Sequence, residues 1–189
     1  LHMVPTGKPE PVQVRIGLYF TEKRPPIMPL ILNLFNKSID IPPGEANYPL
    51  KAQYRLPVDI EVYTVYPHAH YLGRILRGYA VLPDGEEQTL IDIRDWDFNW
   101  QDEYRYADPV TLPRGSVIHM DYTYDNSSKN IRNPNNPPQH VISGPRSDDE
   151  MGDCDGCDDE DYEDEDEVVG RINDILHLLG PSVTNIRNK

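Results

Sequence analysis

Apolar side chains recur at every second position in short runs between residues 12 and 124, and Pro/Gly turns separate those runs. Val12, Val14, Ile16, Leu18 and Phe20 alternate with Gln13, Arg15, Gly17 and Tyr19, which is the period of a half-buried strand. Similar strands are predicted over 31–35, 48–56, 58–65, 75–82, 90–93 and 117–124. Pro42-Pro43-Gly44, Pro83-Asp84-Gly85 and Pro113-Arg114-Gly115 supply the turn chemistry between them. A chain of many short strands with no convincing helix before residue 168 has few ways to bury its apolar faces. We expect an all-β fold, an antiparallel jelly-roll β-sandwich. Residues 125–147, rich in Asn and Pro, are expected as a long irregular loop of the functional or disordered kind. Trp96, Phe98 and Trp100 alternate, so we expect all three on one face, packed in core or sheet rather than forming a carbohydrate platform.

Charge separates this body from a tail. The net charge is −14, yet residues 153–167 alone hold eleven Asp or Glu and no Lys or Arg, so the remainder carries −3. The overall charge of −14 argues against nucleic acid, whose phosphates need a Lys/Arg surplus. The acidic run repels itself and buries nothing, so it is expected to be disordered. Beyond it, apolar residues at 168, 169, 172, 175, 176, 178 and 179 fit a short terminal helix ending at Gly180-Pro181. No apolar window is long enough to span a membrane. The chain opens on Leu1 without a signal peptide, which we read as a fragment or processed product.

The sharpest chemical feature is His68-Ala69-His70. On a regular strand, i and i+2 share a face, so two imidazoles would aim at one point. Imidazole suits Cu, Zn, Fe or Ni, although such a pair also serves plain hydrogen bonding. A third ligand would come from His119, His140, Met151, Cys154, Cys157 or a carboxylate. Met151 sits among acids and Gly with no apolar stripe to join. It is either an exposed or gap-filling side chain or a thioether ligand, and the latter would favour Cu(I) over Zn(II). Cys154 and Cys157 have CxxC spacing, but that gives only half of a zinc site, and the surrounding acids raise the thiol pKa. Asp153, Asp155, Asp158 and Asp161 suggest no more than loose Ca²⁺ affinity. His119, beside Met120 in a strand, reads as structural.

Several blocks in order carry a resemblance: Ile41-Pro42-Pro43-Gly44-Glu45, then His68-Ala69-His70-Tyr71-Leu72-Gly73-Arg74 with Gly78-Tyr79, then Asp149-Glu150-Met151. The chain resembles the C-terminal jelly-roll domain of the copper type II, ascorbate-dependent monooxygenases, the group of peptidylglycine α-hydroxylating monooxygenase and dopamine β-monooxygenase. Bacterial relatives look most similar, through GKPE, GLYF, EANY, PHAHYLGR, DWDFNWQ and NPNNPP. The resemblance implies that His68, His70 and Met151 bind the oxygen-activating copper. It also implies that His2 is a ligand of a second copper site, whose other histidines lie upstream. The implied layout is 1–10 as the end of a missing N-terminal copper domain, 11–152 as the C-terminal copper domain, 153–167 as the acidic segment, and 168–189 as helix and tail. The implied function is hydroxylation of a C–H bond of a small-molecule substrate with O2, with ascorbate as reductant and two coppers in the full-length protein. Alone, this chain is expected to be inactive or weakly active. Periplasmic or secreted placement follows from the same resemblance. Alternatives are a non-catalytic copper-binding or interaction module derived from that fold, or a metal-free β-sandwich. Tyr66 stands where the peptide-hydroxylating enzyme has a substrate-binding Arg, and Asp153 and Asp155 replace its Asn and Tyr. These departures argue against a peptide carboxylate as substrate.

Overall fold

Eight strands among the described residues pair in nested order, first with last. β1 (Asp40–Ile41) pairs with β8 (Val141–Ile142), and β2 (Tyr48–Arg55) with β7 (Val117–Tyr124). β3 (Ile60–Val65) pairs with β6 (Tyr104–Leu112), and β4 (Gly73–Val81) with β5 (Glu87–Ile93), all antiparallel. Nested pairing is the connectivity of a long hairpin rolled on itself, a jelly roll. Rolling brings β4 against β7, so one sheet runs β2-β7-β4-β5, while β1-β8 and β3-β6 stay two-stranded. This computed structural model describes residues 7–9, 11–20, 23 and 30–152. It divides into two units, Leu1–Leu32 and Asn33–Lys189.

In the second unit, alternation fixes what faces the core. Met120, Tyr122 and Tyr124 point inward from β7. Registers place Leu50 and Leu76 on either side of Tyr122, forming an apolar row across three strands. Ile41, Leu72, Trp96 and Val141 complete the cluster. Burying each large apolar side chain contributes about 1.5–3 kcal/mol. Gly73 is required by a close approach: a Cβ there would lie 2.7 Å from the Trp96 ring and 2.8 Å from Ala69 Cβ.

Five expected strands are present, with ends moved by a few residues. Two are not. Residues 11–20 carry no strand, and Ile16, Leu18, Tyr19 and Phe20 are all exposed. Alternation defines a face but supplies no edge to hydrogen-bond with. Residues 31–35 are likewise irregular, although Leu34 packs on the core. β6 was not expected, because Ala107-Asp108-Pro109 interrupts its alternation. Its ladder with β3 shifts register between Val62 and Thr64, and an edge strand tolerates a proline.

The loop expected over 125–147 contains β8, and its first part is organised by Asn126. The aromatic triplet splits. Trp96 is buried, Phe98–Trp100 forms a 3-10 turn, and Trp100 is 76% exposed. No helix among the described residues is long and apolar enough to cross a membrane. His2, the acidic run, Cys154, Cys157 and the 168–179 helix lie outside the described residues.

Candidate metal centre

His68 and His70 do not sit on a regular strand as expected. They lie on the connection 66–72 between β3 and β4, where Pro67 removes a ladder donor. Tertiary contacts replace the missing ladder. The Glu150 carboxylate accepts the His70 backbone N–H, and also that of Leu72 at 3.1 Å. The Trp96 indole N–H donates to the His70 carbonyl at 3.1 Å. The rings stand edge to face, with centroids 5.2 Å apart, and Phe98 backs His70 at 5.5 Å.

Each imidazole is oriented through Nδ1. The Asp149 carbonyl lies 3.0 Å from His70 Nδ1 and can only accept, so Nδ1 carries the proton. Gln101 Nε2 donates to the Tyr66 hydroxyl, which turns Oε1 toward His68 Nδ1 at 2.7 Å. Both rings are thereby set as Nδ1–H tautomers, making Nε2 the basic nitrogen in each. His68 Nε2 lies 3.3 Å from Met151 Sδ. Histidine metal ligands are characteristically held this way by their second nitrogen.

Met151 is held by main-chain contacts on both sides. The Glu150 N–H donates to the Ile142 carbonyl at 3.1 Å, and the Gly144 N–H to the Glu150 carbonyl at 3.2 Å. The Tyr124 hydroxyl donates to the Met151 carbonyl at 2.7 Å, and the Asn36 N–H to that of Gly152 at 3.2 Å. Gly152 leaves no room for a side chain, since a Cβ there would lie 2.2 Å from Leu50 Cδ2. Glu150 between them is fully buried. Burial pushes its carboxyl up to about 8, against the opposing pull of N–H groups from His70, Leu72 and Met151.

Among the described residues, no group of three or more His, Cys, Asp or Glu could hold a metal. A centre here therefore depends on the thioether. Two imidazoles and one thioether form a soft, three-donor set that fits Cu(I) and leaves a coordination position open. The other histidines are elsewhere: His119 stacks on Tyr79 at 4.8 Å, and His140 pairs with Asp40. Sequence reasoning did not identify Glu150 or Gln101 as supports. Both lay inside the quoted blocks, but nothing local marks a carboxylate or amide as the holder of a distant histidine.

Residues 27–154, more than half of the chain, match the family described as copper type II ascorbate-dependent monooxygenase, C-terminal domain. A search of curated proteins gave no match.

Proposed function

The chain belongs to the copper type II ascorbate-dependent monooxygenase family, as its C-terminal domain, and on that premise we propose that His68, His70 and Met151 hold the copper of an oxygen-activating site. The observation that carries this reading is the approach of His68 Nε2 to Met151 Sδ at 3.3 Å, with both Nδ1 atoms already committed. Copper held there would supply O2 binding and one-electron chemistry for hydroxylating a substrate C–H bond, with ascorbate as the electron source.

The chain's own residues fix the geometry. Gln101 and the Asp149 carbonyl orient the rings, Glu150 holds the backbone at His70, and Phe98 packs edge to face against the His70 ring. The substrate is a small organic molecule other than a peptide carboxylate. Where a substrate-binding Arg would be needed stands Tyr66, whose hydroxyl accepts from Gln101. The electron-supplying second copper, an N-terminal partner domain and extracytoplasmic placement belong to the same proposal.

Copper loading under reducing conditions, followed by X-ray absorption of wild type and Met151→Ala, tests it. The expected result is a single tightly held Cu(I) with a sulfur scatterer that disappears in the variant. A sulfur signal that persists in Met151→Ala, or no specific copper, would overturn the assignment.

A second outcome follows from the outer contacts. Gln101→Ala removes the acceptor at His68 Nδ1 and should weaken Cu(I) about tenfold, the size expected for a lost outer contact to a ligand histidine. Competition against a chromophoric Cu(I) chelator reads the affinity. Gln101 is only half-buried, so the unfolding temperature should stay nearly constant.

A further inference from the structure

Trp100 is 76% exposed, whereas Trp96, four positions earlier in the same segment, is 1% exposed. Exposure of a single ring is ordinary, but this one stands beside fixed polar groups. Trp100 lines an open cleft of about 370 Å³ together with Tyr104, Asp95, Asp97 and Arg132. That volume falls within the range of small-ligand sites, roughly 300–1,000 Å³.

The cavity's polar groups are fixed in place. Arg132 spends Nη1 on Asp95 at 2.7 Å and on the Trp96 carbonyl at 2.9 Å. Nε and Nη2 remain as donors in a planar fork. Asp97 caps the Phe98–Trp100 turn by accepting from the Asn99 N–H at 2.9 Å and from its side-chain amide at 3.1 Å, both through Oδ1. Oδ2 is left as an acceptor. The turn closes through the Trp100 N–H and the Asp97 carbonyl at 2.8 Å, which fixes the main chain that carries the indole.

We propose that this cavity is a binding site for a neutral pyranose, stacked by its C–H face on Trp100 and hydrogen-bonded through its hydroxyls to Asp97 and Arg132. The charges select against anions and leave little for a cation. An anion would meet two carboxylates, and Arg132 is already paired with Asp95, so a cation finds only Asp97. A neutral ring with donors and acceptors around its edge uses both Asp97 and Arg132, and its flat apolar face suits an indole. The site stands apart from the copper assignment and needs no metal. It shares only the scaffold, since Trp96 holds the His70 carbonyl and Gln101 holds His68 at the two ends of the same segment.

The test is titration of the metal-free chain with cellotriose, maltotriose and triacetylchitotriose, using galacturonic acid and glucosamine as charged controls. Tryptophan fluorescence and saturation-transfer NMR report binding. At least one neutral sugar should saturate in the millimolar range, with transfer strongest at protons on one ring face. Trp100→Ala should weaken it at least tenfold, and Trp100→Phe, which keeps a flat ring, should retain most of it. The position is exposed, so thermal unfolding of both variants should match wild type and exclude misfolding as the cause. The proposal is overturned if no neutral sugar saturates, if Trp100→Ala binds as wild type does, or if a charged control binds better.

Discussion

Replacing Glu150 with Ala is expected to lower the unfolding temperature by about 10 °C and to dismantle the candidate metal centre. The carboxylate is fully buried and accepts backbone N–H groups of His70 and Leu72. Alanine leaves both donors without a partner in a dry site, at roughly 1–3 kcal/mol each. Part of that loss is returned, because burial already disfavours the ionised carboxyl, as its raised pKa shows. A net loss of about 3 kcal/mol remains, which for a domain of this size gives the stated shift. Glu150→Gln separates shape from hydrogen bonding. It keeps the volume and one acceptor, but turns an NH2 toward the other backbone N–H, so its loss should fall between wild type and Ala. Calorimetry or circular dichroism reads all three. A Glu150→Ala protein within about 1 °C of wild type would mean that water or a rearranged backbone satisfies both amides. The same substitution should weaken Cu(I) more than Gln101→Ala does. The Glu150 side chain holds the main chain of His70 and Leu72, so its loss shifts a whole ligand-bearing segment, whereas Gln101→Ala loosens only the ring of His68.

That role marks the boundary of what the sequence makes legible. Alternation and Pro/Gly turns suffice for β2, β3, β4, β5 and β7, because each buries one face and the period of two is local. The nested pairing is only partly legible, because it also needs β1, β6 and β8, which no expected strand covered. His68, His70 and Met151 could be named as candidates from ligand chemistry and a resemblance. Their supports could not. The Glu150–His70 bond joins positions 80 residues apart, and the Gln101–His68 bond spans 33, so neither leaves a periodicity to detect. Residues 12–20 show the converse error, since a perfect strand pattern has no hydrogen-bonding edge among the described residues. Trp100 shows that an alternating triplet shares a face only while the backbone stays extended. The Asp97 cap folds Phe98–Trp100 into a 3-10 turn and rotates its last ring into solvent.

Asn126→Ala should destabilise the domain about as much as Glu150→Ala while leaving the candidate centre intact. Asn126 is fully buried at the root of the Asn/Pro-rich loop. Its amide nitrogen donates to the carbonyls of Ile41 at 3.3 Å, Pro42 at 3.1 Å and Gln139 at 2.7 Å, and its oxygen accepts from Asn133 at 2.9 Å. The side chain thus ties the start of the loop to its end and to the turn after β1. Removing it strands buried acceptors and should cost about 2–4 kcal/mol. Asn126→Asp should do no better than Ala, because it sets a carboxylate oxygen against the same carbonyls. The metal donors have separate tethers. Met151 is held through Tyr124, Ile142 and Asn36, and the two imidazoles through Gln101, Asp149 and Glu150. Copper-loaded Asn126→Ala should therefore keep its sulfur scatterer and bind Cu(I) within about threefold of wild type, although it unfolds some 10 °C lower. Loss of the sulfur signal in this variant would show that the loop and the centre form one cooperative unit, in which any loss of fold stability is also a loss of site.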